Sequence, residues 1–256
     1  MSGIHGSGLT RREWLGALAG FATYALLREV RAAVPQRRST VEAWIVRQDE
    51  AARALAAGRI TPRAWMDEIE HLAAEIDVAE LMATVNRSRL TAAGAGGTND
   101  PKKRHVRFLD DATGEPRQLA YGAALFDFEP RNVITPHGHR HMVSAHLVVD
   151  GRLRVRNYDR VRDDGDAMVI RPTRDYVAHV GMISTMSSER DNIHWFVPQG
   201  GRAATFDVVI SDLDPGQPSY DIKAIDPLRG ERLADGTIRA PIIGFDDASA
   251  RYTSEV

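Results

Sequence analysis

The stretch that decides the fold reads PHGHRHMVSAH and covers residues 136–146. It holds four of the nine histidines in the chain. Side chains two residues apart on a β-strand point to the same side, so His137 and His139, or His139 and His141, can present two imidazoles to one metal ion. The chain has no cysteine, which leaves nitrogen and oxygen as ligand atoms. The stretch therefore predicts a strand that carries a histidine-rich metal site.

Short apolar or alternating runs flank this stretch and are bounded by Gly, Pro or Asp. They cover residues 119–128, 143–149, 152–158 and 205–210. Asp150-Gly151, between two of these runs, is typical of a tight β-hairpin turn. Several short strands separated by turn signals predict an antiparallel sandwich or barrel.

A small helical module is predicted over residues 33–92. Thr40 or Ser39 can cap a first helix, and Pro62 suits the first position of a second. Asp77 begins a third helix with a capping pattern. We expect these helices to serve packing rather than chemistry.

A linker and a tail bound the predicted barrel. Residues 93–103 contain three glycines, an Asn-Asp pair and a proline, which can continue neither a helix nor a strand. We therefore place a domain boundary near residue 100 and the barrel at residues 104–222. Residues 223–256 are rich in turn-forming residues and predict a loosely docked C-terminal tail.

The first 32 residues differ in character from the rest. Arg11 and Arg12 directly precede an apolar stretch, Trp14 to Leu27, which is too short to span a membrane but suits a signal peptide. Small residues follow at Val30-Arg31-Ala32. The pattern resembles a bacterial twin-arginine export signal. This resemblance implies the twin-arginine translocation machinery as a partner, a periplasmic or otherwise exported protein, and no stable membrane span after cleavage.

Composition narrows the remaining choices. The chain has 256 residues and a formal net charge of −2, so it offers no basic excess that would indicate nucleic-acid binding. The absence of cysteine excludes disulfides, cysteine-ligated zinc and iron–sulfur clusters.

The histidine stretch resembles the first motif of the cupin superfamily. His137-x-His139 is followed after four residues by Ser144 and after six more by Gly151. In cupins an acidic ligand stands at the position that Ser144 occupies here. The resemblance therefore implies a three-histidine site, like that of the thiol dioxygenase branch that includes cysteamine dioxygenase and the plant cysteine oxidases. Counting back from Gly151 favours His137 and His139 over the rival pair that includes His141.

The downstream part of the same resemblance supplies the third ligand. Asn192-Ile193-His194 is similar to the segment that carries this ligand in the thiol dioxygenases. His179 is the alternative third ligand if His194 does not bind the metal. Asp207 matches an acidic residue beside the ligands in that branch. His146 lies two residues beyond Ser144 and can face the same interior, so Asp207 and His146 are the candidate catalytic residues.

The resemblance implies a mainly β, cupin-type antiparallel barrel, or double-stranded β-helix, that follows the small helical module. It implies Fe(II) as the metal, O2 as co-substrate, and oxidation of a small-molecule thiol to a sulfinic acid. Arg131 and Arg140 are candidates, by sequence proximity, to bind a substrate carboxylate. The alternatives are an exported metal cupin of another reaction class and a non-catalytic cupin that binds a metal or small ligand.

Overall fold

A computed structural model describes residues 40–93, 99–214, 216 and 221–253. The predicted leader at residues 1–32 and the centre of the predicted linker lie outside these ranges. Among the helices that are described, none combines the length and apolar character required for crossing a bilayer.

The predicted helices are present and begin where the capping residues indicate. The bounds of the three predicted helices are Val41–Ala56 (α1), Pro62–Glu75 (α2) and Val78–Arg87 (α3). A further helix, Phe245–Thr253 (α4), and a short 3-10 helix at Pro227–Arg229 lie in the predicted tail and were not expected. The Thr40 hydroxyl accepts a hydrogen bond from the Ala43 backbone N–H, and the Asp77 carboxylate accepts two at the start of α3. Each such cap contributes about 0.5–2 kcal/mol to helix stability.

In the described part of the chain, thirteen strands form two antiparallel sheets. The six-stranded sheet has the order β1-β2-β3-β10-β5-β8, and the seven-stranded sheet has the order β11-β4-β9-β6-β7-β13-β12. In chain order the strands are Arg89–Ala92 (β1), Lys102–Arg107 (β2), Gly122–Phe128 (β3), Ile134–Arg140 (β4), Val143–Asp150 (β5), Arg152–Asp164 (β6), Ala167–His179 (β7), Ile183–Met186 (β8), Ile193–Pro198 (β9), Ala203–Ile210 (β10), Asp221–Ile225 (β11), Glu231–Arg232 (β12) and Ile238–Ile243 (β13).

Strands β3 to β10 define the topology. Four of them lie in the order β3-β10-β5-β8 and the other four in the order β4-β9-β6-β7, so the chain passes between the sheets at every connection except β6 to β7. This is the eight-stranded jelly roll, or double-stranded β-helix. The predicted cupin-type barrel behind a small helical module is therefore confirmed.

The hairpin prediction at Asp150-Gly151 is wrong. The turn joins β5 to β6, but β5 pairs with β10 and β8, whereas β6 pairs with β7 and β9. Gly151 has φ +66°, and an ideal Cβ at this position would lie 2.2 Å from the Arg202 carbonyl oxygen. Glycine is therefore required here both by the backbone conformation and by the close approach of the chain at Arg202 and Ala203, where β10 begins.

Helices α1 to α3 cover the outer face of the six-stranded sheet. Trp44 of α1 and Trp65 of α2 are buried with Phe206 of β10 in one hydrophobic cluster, and the Trp44 and Phe206 rings lie 5.9 Å apart. The helical module was predicted to extend to residue 92, but a strand begins at Arg89 and pairs with β2. The outward residues of the sheet are thus buried, which leaves its inner face for the barrel interior.

The expectation of a loosely docked tail is also wrong. β11 pairs with β4, and β13 pairs with β7, so the tail extends the seven-stranded sheet on both sides. Tyr252 of α4 is fully buried and donates a hydrogen bond of 2.8 Å to the buried Asp226. The strands here are short and separated by Pro and Gly, so their local sequence signals resemble those of loops.

Candidate metal centre

Two neighbouring strands bring the predicted ligands together. His137 on β4 lies directly opposite His194 on β9, and the pairing register shifts between Ile134 and His137. Directly opposed residues in an antiparallel pair project from the same face. His139 follows two residues after His137 and therefore shares that face. All three imidazoles point into the barrel.

The three side chains form one compact cluster. One nitrogen from each of His137, His139 and His194 lies within 4.8 Å of the others. The ring centroid of His137 lies 4.5 Å from that of His139 and 4.5 Å from that of His194. The centroids of His139 and His194 are 5.2 Å apart. This cluster could hold a metal ion with three nitrogen ligands.

The protonation and hydrogen bonding of the cluster fit a metal. Burial lowers the pKa of His137 to about 4 and holds the pKa of His139 and His194 well below the usual value. The imidazoles are therefore neutral at neutral pH, as metal ligation requires. Both ring nitrogens of His139 and the Nδ1 of His194 are buried without a hydrogen-bond partner among the described residues, and buried polar atoms in that state are rare unless something binds them.

His137 is oriented by its own strand and lies at the accessible side of the cluster. Its Nδ1 is 2.7 Å from the Thr135 carbonyl oxygen. Since a carbonyl only accepts, Nδ1 carries the hydrogen and Nε2 is left for a metal. His137 is half-buried, and the half-exposed ring of Phe245, at the start of α4, lies 6.0 Å from its ring. Phe245 thus borders the exposed side of the centre.

The two candidate catalytic residues lie on the opposite sheet. His146 Nδ1 is 2.7 Å from Asp207 Oδ2, and His146 Nε2 is 2.9 Å from the Ser144 hydroxyl. A carboxylate only accepts, so Nδ1 donates to Asp207, and when the ring is neutral Nε2 accepts from the serine hydroxyl. The His146 ring lies 4.8 Å from that of His194. Ser144, at the position of the cupin acidic ligand, therefore serves His146 and does not complete the metal cluster.

Two polar residues of the interior were not predicted. Asn157, on β6, lies directly opposite His194. Ser184, on β8, lies directly opposite His146. Their side chains meet across the barrel through a hydrogen bond of 3.4 Å, and Asn157 Oδ1 has no partner in the described part of the chain. A signal was present, because Leu153, Val155 and Asn157 alternate along one strand and the first two are apolar core residues.

A hydrogen-bond chain connects helix α2 to the ligands. Glu70 of α2 accepts bonds from the Thr185 hydroxyl at 2.5 Å and from Arg190 at 2.6 Å. The Ser187 hydroxyl accepts from the Arg190 backbone N–H. Asn192 Nδ2 then donates to the carbonyls of Ser187 and of His139, the latter at 2.6 Å. The helical module therefore holds the turn that precedes the third ligand, a role that its sequence did not suggest.

Several residues considered from sequence lie elsewhere. His141 adopts φ +59° in the turn after β4, where its Nδ1 is 3.7 Å from Asp214. His179 is exposed at the end of β7. Arg131 is exposed, and Arg140 forms a surface ion pair with Asp163, so the expectation that either arginine binds a substrate carboxylate in the barrel is not supported.

The fold and the cluster together define a cupin-type barrel with a candidate three-histidine metal centre. No family model matches the chain, and no curated protein matches it. Solved structures match it distantly, and the strand order rather than these matches defines the fold.

Three of the solved structures illustrate this distance. CapF, solved with the inhibitor 3-isopropenyl-tropolone, is 16% identical with a TM-score of 0.34, over 52% of this chain and 33% of CapF. The vicilin of Solanum melongena is 12% identical with a TM-score of 0.35, over 56% of this chain and 34% of the vicilin. This chain thus spans about a third of the length of either protein. An uncharacterized Klebsiella pneumoniae protein with a double-stranded β-helix domain is 14% identical with a TM-score of 0.32, over 50% of this chain and 88% of that protein.

Proposed function

We propose that this chain is an exported Fe(II) cupin that oxidises a small thiol to a sulfinic acid with O2. In the balanced reaction, one thiol and one O2 give one sulfinic acid: both oxygen atoms end on sulfur, which loses four electrons to O2. Ferrous iron, when bound, supplies the redox centre at which thiol and O2 meet. The twin-arginine-like leader supports export as part of the same proposal.

One observation carries the proposal. Among the described residues, the cluster offers three neutral imidazoles and no carboxylate, because Ser144 stands at the position of the usual acidic ligand and bonds His146 instead. A site with three neutral ligands leaves the full charge of a divalent ion uncompensated, which favours an anionic thiolate as the fourth ligand. Three protein ligands also leave positions open for substrate and co-substrate.

The residues around the cluster have separable roles in this proposal. His137, His139 and His194 hold the metal. Asp207 fixes the His146 ring through Oδ2, while its Oδ1 is a buried acceptor with no partner among the described residues. Asp207 Oδ1 is thus available to accept a hydrogen bond from a donor group of the substrate and so to orient it.

Oxygen uptake tests the proposal directly. The full chain would be loaded anaerobically with Fe(II) and assayed for O2 consumption with cysteine, cysteamine, 3-mercaptopropionate and a peptide with an N-terminal cysteine. We expect uptake to depend on one of these thiols and to form a product heavier by two oxygen atoms. Metal binding without thiol-dependent uptake would refute the dioxygenase assignment and leave a metal-binding cupin of another class.

A further inference from the structure

A second site lies on the outside of the barrel, on the outer face of the seven-stranded sheet. Arg152, Arg154 and Arg156 alternate along β6 with Leu153 and Val155, which are buried in the interior. Alternate residues of a strand project to opposite faces. The three arginines therefore project outward in a row.

Next to this row is a cleft of about 430 Å³. Arg154 lies beside Val197 and Arg156 beside Trp195 in the pairing of β6 with β9. The cleft is lined by Pro130, Arg154, Arg156, Trp195, Val197, Pro198, Gln199, Gly200 and Gly201. Its volume suits a small organic molecule, and its walls combine apolar side chains with two guanidinium groups.

The charge of the cleft is unbalanced. Arg154 forms two hydrogen bonds of 2.8 Å with Asp175, and Arg156 Nε lies 3.5 Å from the same carboxylate. Two positive charges thus share one negative charge. Among the described residues, no carboxylate lines the cleft itself. An anion that entered it would therefore meet an uncompensated positive charge.

Arg156 is held in place before any ligand binds. Its guanidinium carbon lies 3.8 Å from the centre of the Trp195 ring. Trp195 is only 3% exposed, and its other contacts include the ring of Tyr252 at 4.8 Å. A guanidinium stacked on an aromatic ring keeps its in-plane N–H groups available for bidentate bonds to an oxyanion. Its fixed position reduces the entropy that binding must overcome.

We propose that this cleft binds a small organic anion, with a carboxylate or phosphate group on Arg156 and Arg154 and an apolar body against Val197 and Pro198. The site is separate from the metal centre, because Trp195 and His194 are successive residues of β9 and so project from opposite faces of the sheet. The proposal stands whether or not the chain oxidises thiols.

Calorimetric titration of the full chain at low salt tests the proposal. The probes are benzoate, phenyl phosphate and neutral benzamide. We expect benzoate or phenyl phosphate to bind and benzamide not to bind. The anion that binds more tightly shows whether the cleft prefers a carboxylate or a phosphate group. Binding should weaken as salt is added, because charge carries it. Equal binding of benzamide and benzoate, or no binding of either anion, would overturn the proposal.

Matched variants locate the binding. Arg156→Gln should weaken anion binding about tenfold or more, since it removes a charged bidentate donor. Arg156→Lys keeps the charge but not the planar guanidinium, so its affinity for the anion should lie between those of the unchanged protein and Arg156→Gln. Arg162→Gln, on an exposed residue of the same strand, should bind like the unchanged protein. Unaltered binding by a folded Arg156→Gln protein, or an equal loss in Arg162→Gln, would refute the assignment.

Discussion

Gly138 lies between two of the candidate ligands, and replacing it with alanine should damage the metal centre. It pairs with Ile193 on β9. A Cβ at this position would lie 3.0 Å from Ile193 Cγ1 and 3.1 Å from Asn192 Oδ1. Both distances are short of ordinary van der Waals contact, so the buried side chains of Ile193 and Asn192 must shift by a few tenths of an ångström.

The size of the effect follows from two opposing contributions. Overpacking a buried position costs about 1–3 kcal/mol, and replacing glycine by alanine recovers about 0.4–1 kcal/mol through the unfolded chain. We therefore expect Gly138→Ala to lower the free energy of unfolding by about 1–2 kcal/mol. Displacing Asn192, which bonds the His139 carbonyl, should weaken metal binding about tenfold or more.

Gly122 provides the matched control. It also lies in a strand of the barrel, but a Cβ there would be 3.7 Å from the Val209 carbonyl oxygen, an ordinary contact. Urea unfolding of the metal-free proteins gives the stability of each variant, and competition between protein and chelator for Co(II) gives its metal affinity. If Gly138→Ala matches the unchanged protein in both measurements, or if Gly122→Ala loses as much, the packing argument is refuted.

Three further predictions address the ligands, the helical module and the leader. His194→Ala should abolish stoichiometric Co(II) binding, measured by the visible absorption of the bound ion. His141→Ala should keep most of the binding, because His141 lies outside the cluster. Retained binding in His194→Ala would contradict the assignment of His194 as a ligand. Glu70→Gln should speed amide hydrogen exchange in the turn before the third ligand and weaken Co(II) binding by about three- to tenfold. The effect is moderate because a partly exposed ion pair such as Arg190–Glu70 contributes modestly to stability. Unchanged exchange would contradict this role of Glu70. Changing Arg11 and Arg12 together to Lys should leave the protein in the cytoplasmic fraction of a producing bacterium, since the translocation receptor reads the arginine pair; normal export would contradict the leader assignment.

The part of the site that sequence could predict is the part that local spacing controls. His137 and His139 share a face because strand side chains alternate, and the distance to Gly151 selected them over His141. His194 was inferred from resemblance alone. It lies 55 residues after His139, and local spacing along a strand does not relate residues that far apart. The structure places all three in one cluster.

What could not be predicted depends on pairing between distant strands. Asp150-Gly151 carries the same turn signal whether the next strand stays in the sheet or enters the other one, and the difference lies in the pairing of β5 with β10 and β8 and of β6 with β9 and β7. The role of Glu70 depends on where α2 packs, which its own pattern does not specify. The residues that support the ligands are therefore harder to find from sequence than the ligands themselves.

The pairing of β11 with β4 affects the order in which the site can form during synthesis. Ala224 lies opposite His137 and Ile222 opposite His139, so the strand that carries two ligands is an inner strand, flanked on one side by a segment more than 80 residues downstream. On a ribosome, residues 134–140 emerge while neither neighbour of their strand has yet been made. A nascent chain therefore carries its first two candidate ligands, His137 and His139, on an unpaired strand, and the three-histidine cluster can form only after His194 on β9 has been made.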